Sequence, residues 1–508
     1  NTPRTELEYN ARSYVHVVGR NAAGDGDSLL FGRGVSKSVD VPEGQATWIV
    51  GAPESPWVVA VANHNNDDNP STFFVAPLSK LAGPATPWRR FATVADGITH
   101  YAVYGDRLYF LSQKGASRFR LLATPLAHPD VAHAQVIVPE GEGVLTNFAF
   151  ARDGIYYRER RGAGARLMHV GYAGGHPESV PVSYDGNLFG PYADRGSDGA
   201  LYTLEGWTQP RQLYAYDPKA NASHNSGLLT PSSIDASAFE SREAWVTSYD
   251  GTRVPLSILY RKGLKLDGSH PAIVDGYGSY GIVREMTFRP SRIAWLERGG
   301  VWAVAHIRGG GELGEAWHQG AFMRTKLNTV FDFNACAQFL VDAGYTSPAR
   351  LGAVGGSAGG ITVGGAMTWR PDLYRVILDH VGMSDTLRSE TEPNGPPNTV
   401  EFGSIANEDG FHGLYAMGAY LHVHDGVPYP AVLFMTGAND PRVAPWHMMK
   451  MAARLQAASS SGRPALLRID FDAGHGIGSN RSQQQHELAD EWSFALWQMG
   501  EAGFQPAP

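Results

Sequence analysis

The stretch Leu351-Gly-Ala-Val-Gly-Gly-Ser-Ala-Gly-Gly-Ile-Thr362 decides how the second half of this chain is read. Its apolar start, ending at Val354, predicts a buried strand. Gly355-Gly-Ser-Ala-Gly359 follows without a spacer, and Ile361 onward predicts a helix that Arg370-Pro371 stops. Strand, sharp turn and helix in that order form a nucleophile elbow, where the serine is held in a strained backbone conformation and its hydroxyl stands above the sheet. The flanking glycines are required because a side chain there would collide with the adjoining strand and helix. With 60 Gly in 508 residues, G-x-S-x-G arises by chance about once in two chains of this composition, so the weight rests on the strand and helix around Ser357.

On both sides of this stretch, from about residue 239 to the end, apolar segments alternate with helical patterns. Strands are predicted at Ala272–Val274, Val301–Ala305, Leu351–Val354, Val376–Leu378, Ala431–Met435 and Leu466–Asp470. Helices are predicted at Arg292–Glu297, Phe331–Ala343, Ile361–Thr368, Trp446–Ala457 and Gln484–Met499. Unbroken apolar strands with helices between them imply a mostly parallel sheet covered on both faces, with active groups at the carboxyl ends of its strands. The region opens with a hairpin, Trp245–Tyr260, turned at Asp250-Gly251. Before Ala238 the chain is a series of short alternating segments rich in aromatics, among them Trp57–Ala62, Thr72–Val75, Arg107–Leu111, Gly154–Arg158 and Gln212–Tyr216, separated by Gly, Asp, Asn and Pro. Strands at that density predict an all-β array such as a propeller. A chain of 508 residues exceeds what one core supports, and the expected domains are 1–238, all-β, and 239–508, α/β.

Composition narrows the partners. Lys and Arg number 42 against 50 Asp and Glu, a net charge of −8 with no basic cluster, so nucleic acid is not an expected partner. No apolar stretch approaches the length of a membrane span and no signal peptide is visible, so no membrane partner is expected. The cytoplasm is the expected compartment, with the periplasm and secretion left open because the chain starts at Asn1 and not Met. The single cysteine, Cys336, forms no internal disulfide and is expected to be a buried small hydrophobe. His422-Val-His424 has no acids arranged as further ligands and no H-E-x-x-H occurs, so this segment is expected to be a surface strand or loop, and neither a metal nor a cofactor is expected. His64–Asn69 is read as a solvated turn before Pro70 in preference to a calcium loop.

Two residues fall where the predicted sheet would deliver them. Asp440 follows the strand Ala431–Met435, and His475 follows Leu466–Asp470. The order Ser357, Asp440, His475, with spacings of 83 and 35 residues, is that of a hydrolase triad. In it the imidazole takes the serine proton and the carboxylate holds the imidazole tautomer. Each residue alone has an ordinary explanation, a surface histidine and a turn-forming Asp before Pro; the joint placement favours chemistry.

The chain resembles the prolyl oligopeptidase family of serine peptidases. The matching stretches are Asp250-Gly-Thr-Arg-Val-Pro-Leu256, Gly276-Tyr-Gly-Ser-Tyr280, Ile307-Arg-Gly-Gly-Gly-Glu-Leu-Gly-Glu-Ala-Trp-His318, Gly344-Tyr-Thr-Ser-Pro348, Gly355–Gly360, Arg370-Pro-Asp-Leu373, Asn439-Asp-Pro-Arg-Val443 and Ala473-Gly-His-Gly476. The resemblance implies an α/β-hydrolase catalytic domain preceded by a propeller domain, and cleavage of short peptides through an acyl-enzyme. It also implies a triad of Ser357, Asp440 and His475, an oxyanion hole of the Ala358 amide and Tyr277 hydroxyl, and Arg442 on a substrate carbonyl. Without the resemblance, Tyr277 reads as a core aromatic and Arg442 as a partner for Asp440.

The chain also departs from the family pattern. Prolyl-specific relatives stack the substrate proline on a tryptophan, whereas Asp385–Gly403 contains none and Asn398 falls about there. Tyr280, Val381, Phe402 and Val443 are the remaining candidates for binding the side chain before the cut. Glu390, Glu392 and Glu401 share that loop; solvated acids are the favoured reading, and an unpaired one would select basic side chains, as in the oligopeptidase B type. The family's propeller is longer, with about four or five blades fitting here, and its N-terminal helical segment is missing. The expectation is therefore a C-terminal portion of a longer protein, with the missing piece as a possible partner. Alternatives are an esterase or acyl-transfer enzyme on the same fold, and a propeller binding module joined to a silent hydrolase domain.

Overall fold

A computed structural model describes residues 11–21, 26–63, 70–476 and 480–505; the turn read at His64–Asn69 lies outside them. The chain divides into two compact units. One runs to Leu204 and takes in Gln212–Leu229 and Leu313–Glu315; the other comprises Glu205–Arg211, Thr230–Glu312 and the chain from Ala316 on.

The first unit is a partial propeller. Four four-stranded antiparallel sheets follow one another, built from strands within Ala46–Ala92, Ile98–Val138, Val144–Ser179 and Asn187–Asn225, and a two-stranded sheet, Ser13–His16 with Asp27–Phe31, precedes them. Side chains alternate across a strand, so a strand sandwiched between two sheets must be apolar at every position. Trp57–Asn63 does this: Val59 and Val61 pack with Leu108 and Phe110 of the next sheet, while Val58, Ala60 and Ala62 pack with Leu30 and Phe31 on the other side. Arg107–Ser112 repeats the arrangement, with Tyr109 and Leu111 facing Phe148, Phe150 and Ile155 of the third sheet. The cores therefore lie between blades.

The second unit carries one eight-stranded sheet. Its strands are β1 (Phe239–Thr247), β2 (Arg253–Arg261), β3 (Ala272–Asp275), β4 (Val301–Ala305), β5 (Leu351–Gly356), β6 (Val376–His380), β7 (Ala431–Gly437) and β8 (Ala465–Asp470). They lie in the order β1-β2-β4-β3-β5-β6-β7-β8. Only β2 runs against its neighbours. This is the α/β-hydrolase order. The β1–β2 hairpin turns at Asp250-Gly251 as expected, with Gly251 at φ +85° and the Ser248 amide on the Thr252 carbonyl. Cys336 is fully buried in the helix Leu327–Asp342. His422 ends a single helical turn, with Nε2 3.0 Å from the Tyr415 carbonyl, while His424 is exposed in the loop that follows, as expected.

Candidate active site

Ser357 leaves β5 and enters the helix Gly359–Trp369 at φ +57°, a left-handed conformation that costs a non-glycine residue about 1–2 kcal/mol. Three backbone bonds hold it there: Ser357 N to His380 O (2.9 Å), Met383 N to Ser357 O (3.0 Å) and Gly360 N to Ser357 O (3.0 Å). The glycines are steric necessities. A Cβ on Gly360 would stand 2.5 Å from Gly382 Cα, and one on Gly355 would stand 2.6 Å from Gly359 O.

Asp440 and His475 leave the carboxyl ends of β7 and β8 and meet. His475 Nδ1 lies 2.7 Å from Asp440 Oδ2, and the Asp440 side chain has no exposure. The other carboxylate oxygen, Oδ1, accepts the amides of Arg442 (2.8 Å) and Val443 (3.0 Å). Bonds of this kind hold a buried carboxylate in a fixed orientation. The guanidinium of Arg442 is thus not the partner of Asp440; its backbone is. Among the described residues no hydrogen bond joins Ser357 to His475, so the structure pairs the acid with the histidine ahead of the serine.

Burial pushes the Tyr277 phenol up, and the nearby Ser357 side chain and the charges of Arg284 and Arg442 partly offset it. The Tyr277 carbonyl accepts Thr362 Oγ1 at 2.7 Å, which ties its loop to the elbow helix. Ala358 is buried and precedes that helix, so its amide is among those without an intrahelical acceptor. Tyr277, Ala358, Tyr280, Phe402 and Val443 belong to one apolar cluster with Ile361 and Met383. Tyr280 and Phe402 meet edge to face at 5.4 Å. Val381 is not part of that cluster; it turns at φ +45° after β6, its amide on the Met435 carbonyl. Exposed Arg442 makes no ion pair among the described residues, and its charge bears on both Tyr277 and Tyr280.

The solvated reading of the three loop acids is wrong. Glu401 and Glu392 are buried. Glu392 binds His447 Nε2 (2.5 Å) and the Ala444 amide (3.0 Å). Glu390 binds Ser404 Oγ (2.7 Å) and the Ile405 amide (2.8 Å). Glu401 binds the Tyr280 amide (2.8 Å), His318 Nε2 (2.8 Å) and Lys326 Nζ (3.4 Å). Asn398 accepts the Tyr280 hydroxyl at 2.8 Å. The segment is no open loop: it forms short helices at Thr386–Ser389 and Thr399–Phe402, and a longer one follows at Glu408–Met417. Sequence reading missed Lys326 and His447 altogether, and His318 entered only as the end of a matching stretch.

A family model described as the prolyl oligopeptidase family matches residues 286–502, which contain Ser357, Asp440 and His475. One described as the prolyl oligopeptidase N-terminal β-propeller domain matches residues 6–225. A prolyl endopeptidase of Elizabethkingia meningoseptica is 32% identical over 78% of this chain and 56% of its own length. Dipeptidyl aminopeptidase BI of Pseudoxanthomonas mexicana is 30% identical, again over 78% of this chain and 56% of its own. Among solved structures, a prolyl endopeptidase studied for inter-domain dynamics superposes with a TM-score of 0.87 at 28% identity, over 96% of this chain and 70% of that one. The chain thus spans about half the length of the curated relatives it matches, and the comparisons give no support to a separate N-terminal fragment as partner. With both family descriptions matched in order and the sheet, elbow and acid–histidine pair in place, the chain belongs to the prolyl oligopeptidase family.

Proposed function

We propose that this chain is a serine peptidase that hydrolyses short peptides through an acyl-enzyme. Ser357 Oγ attacks the scissile carbonyl. His475, with Nδ1 committed to Asp440, uses Nε2 to take the hydroxyl proton and then gives it to the leaving amine; water repeats the steps to release the acid. Asp440 holds the imidazole in its tautomer and stabilises the imidazolium that forms. The Tyr277 hydroxyl and Ala358 amide donate to the oxyanion, a donor typically contributing roughly 3 kcal/mol. Arg442 holds a substrate carbonyl, and Tyr280, Val381, Phe402 and Val443 receive the side chain before the cut. The observation that carries the reading is the 2.7 Å His475–Asp440 pair, its carboxylate shielded from solvent and fixed by two amides.

Because Glu390, Glu392 and Glu401 are all engaged internally, the preferred side chain is uncharged, proline included; the Elizabethkingia meningoseptica relative named prolyl endopeptidase points the same way. The domain division 1–238 and 239–508 is retained as a proposal, supported by β1 beginning at Phe239. Among the described residues no helix is long and apolar enough to cross a membrane. A cytoplasmic site is proposed on the single free, buried cysteine. Fluorogenic peptide amides differing only in Pro, Ala, Arg or Lys before the cut test the function. Pro or Ala should exceed Arg and Lys at least tenfold in kcat/KM, and S357A should abolish turnover. Preference for the basic residues, or cleavage of a matched acyl ester with the peptide amide untouched, would contradict it.

A further inference from the structure

Tyr277 sits in a segment whose backbone is left-handed at both neighbours that matter, Gly278 at φ +72° and Tyr280 at φ +60°. A non-glycine residue holds such a conformation only where its surroundings over-determine it. Here the surroundings are buried charges. Glu401 Oε1 accepts the Tyr280 amide at 2.8 Å, and Lys326 Nζ donates to the Gly278 carbonyl at 2.5 Å and to Glu401 Oε1 at 3.4 Å. Thr329 Oγ1 shares its proton between the Arg308 carbonyl at 2.9 Å and the Gly278 carbonyl at 3.2 Å. His318 Nε2 lies 2.8 Å from Glu401 Oε2. The side chains of Glu401 and Lys326 are 3% and 1% exposed, so the pair is cut off from water. Burial alone would raise the Glu401 carboxyl; Lys326, His318 and the Tyr280 amide outweigh it and hold the group below its ordinary range.

We infer that Glu401 is a positioning residue for the reaction: it locks the Gly276–Gly281 segment from behind, so that the Tyr277 donor and the Tyr280–Phe402 pocket wall move as one piece. The inference rests on the reading of Tyr277 as oxyanion donor. Both oxygens of Glu401 are engaged by the protein, and a substrate cation would have to displace one of those partners. Because Glu401 directly precedes Phe402, one side chain fixes the wall and the donor together.

The test is a double-mutant cycle on the full chain, read as the rate at which a fluorophosphonate labels Ser357. E401Q should slow labelling at least tenfold, but by less than threefold in the Y277F background, because the donor through which it acts is gone. Equal slowing in both backgrounds, or no slowing by E401Q, overturns the inference while leaving the Tyr277 reading intact. An unchanged rate in Y277F alone overturns the Tyr277 reading and this inference with it. Removing one member of a buried ion pair destabilises the fold, so E401Q/K326M, which removes both charges, is measured beside it. Its melting temperature should recover while labelling stays slow; a rate that recovers with the melting temperature would reduce Glu401 to a structural role and overturn the inference.

Discussion

Asp440 has both oxygens engaged before any substrate arrives, one by His475 and the other by two backbone amides. D440N would keep the shape and lose the charge and the imidazole tautomer, so kcat should fall by about 10³–10⁴ with KM within a few-fold; steady-state kinetics that show less than a tenfold loss would speak against the assignment. A second carboxylate differs in kind. Asp379, on β6 beside the elbow, is 1% exposed, and its Oδ1 has no partner among the described residues. Burial raises its pKa to about 7, with His380 opposing. The native state then holds this proton more tightly than the unfolded chain does, so this group costs nothing below about pH 4 and costs increasing stability up to about pH 7, by about 4 kcal/mol in all. D379N lacks that slope, and its melting temperature relative to wild type should rise between pH 5 and 8. Parallel melting curves against pH would show that Asp379 titrates normally.

At the scale of elements, the elbow tolerates no added carbon. G360A would force a Cβ to within 2.5 Å of Gly382 Cα and 2.6 Å of Met383 N, both backbone atoms. The expected cost is about 3 kcal/mol in urea denaturation, and a change below 0.5 kcal/mol would mean that the adjoining turn yields easily. This element was legible in the sequence because strand, glycines and helix are contiguous there. The hairpin at Asp250-Gly251 was legible for the same reason, as were strands such as Trp57–Asn63, where burial on both faces leaves an unbroken apolar run. The segment Asp385–Gly403 was not. Its helices are single turns too short to show a period, and its acids look solvated because their partners are remote: His318 lies 83 positions from Glu401, and His447 lies 55 from Glu392. Only the fold brings those partners in, so no local pattern could separate a buried brace from a surface acid.

At the scale of the whole molecule, each unit has its own core, so damage to one need not be read in the other. Phe110 is fully buried between the first two four-stranded sheets. F110A should cost about 3–5 kcal/mol, and hydrogen exchange should accelerate in Trp57–Asn63 and Arg107–Ser112 while Leu351–Gly356 stays protected. Equal loss of protection in both regions would mean that the two units unfold as one. The account as a whole depends on Ser357 being the nucleophile that His475 activates. Peptide mass spectrometry after fluorophosphonate treatment tests this most directly. The adduct should map to Ser357 alone, vanish in S357A at an unchanged melting temperature, and form at least a hundredfold more slowly in H475A. An adduct on another residue, or one that persists in folded S357A, would contradict it.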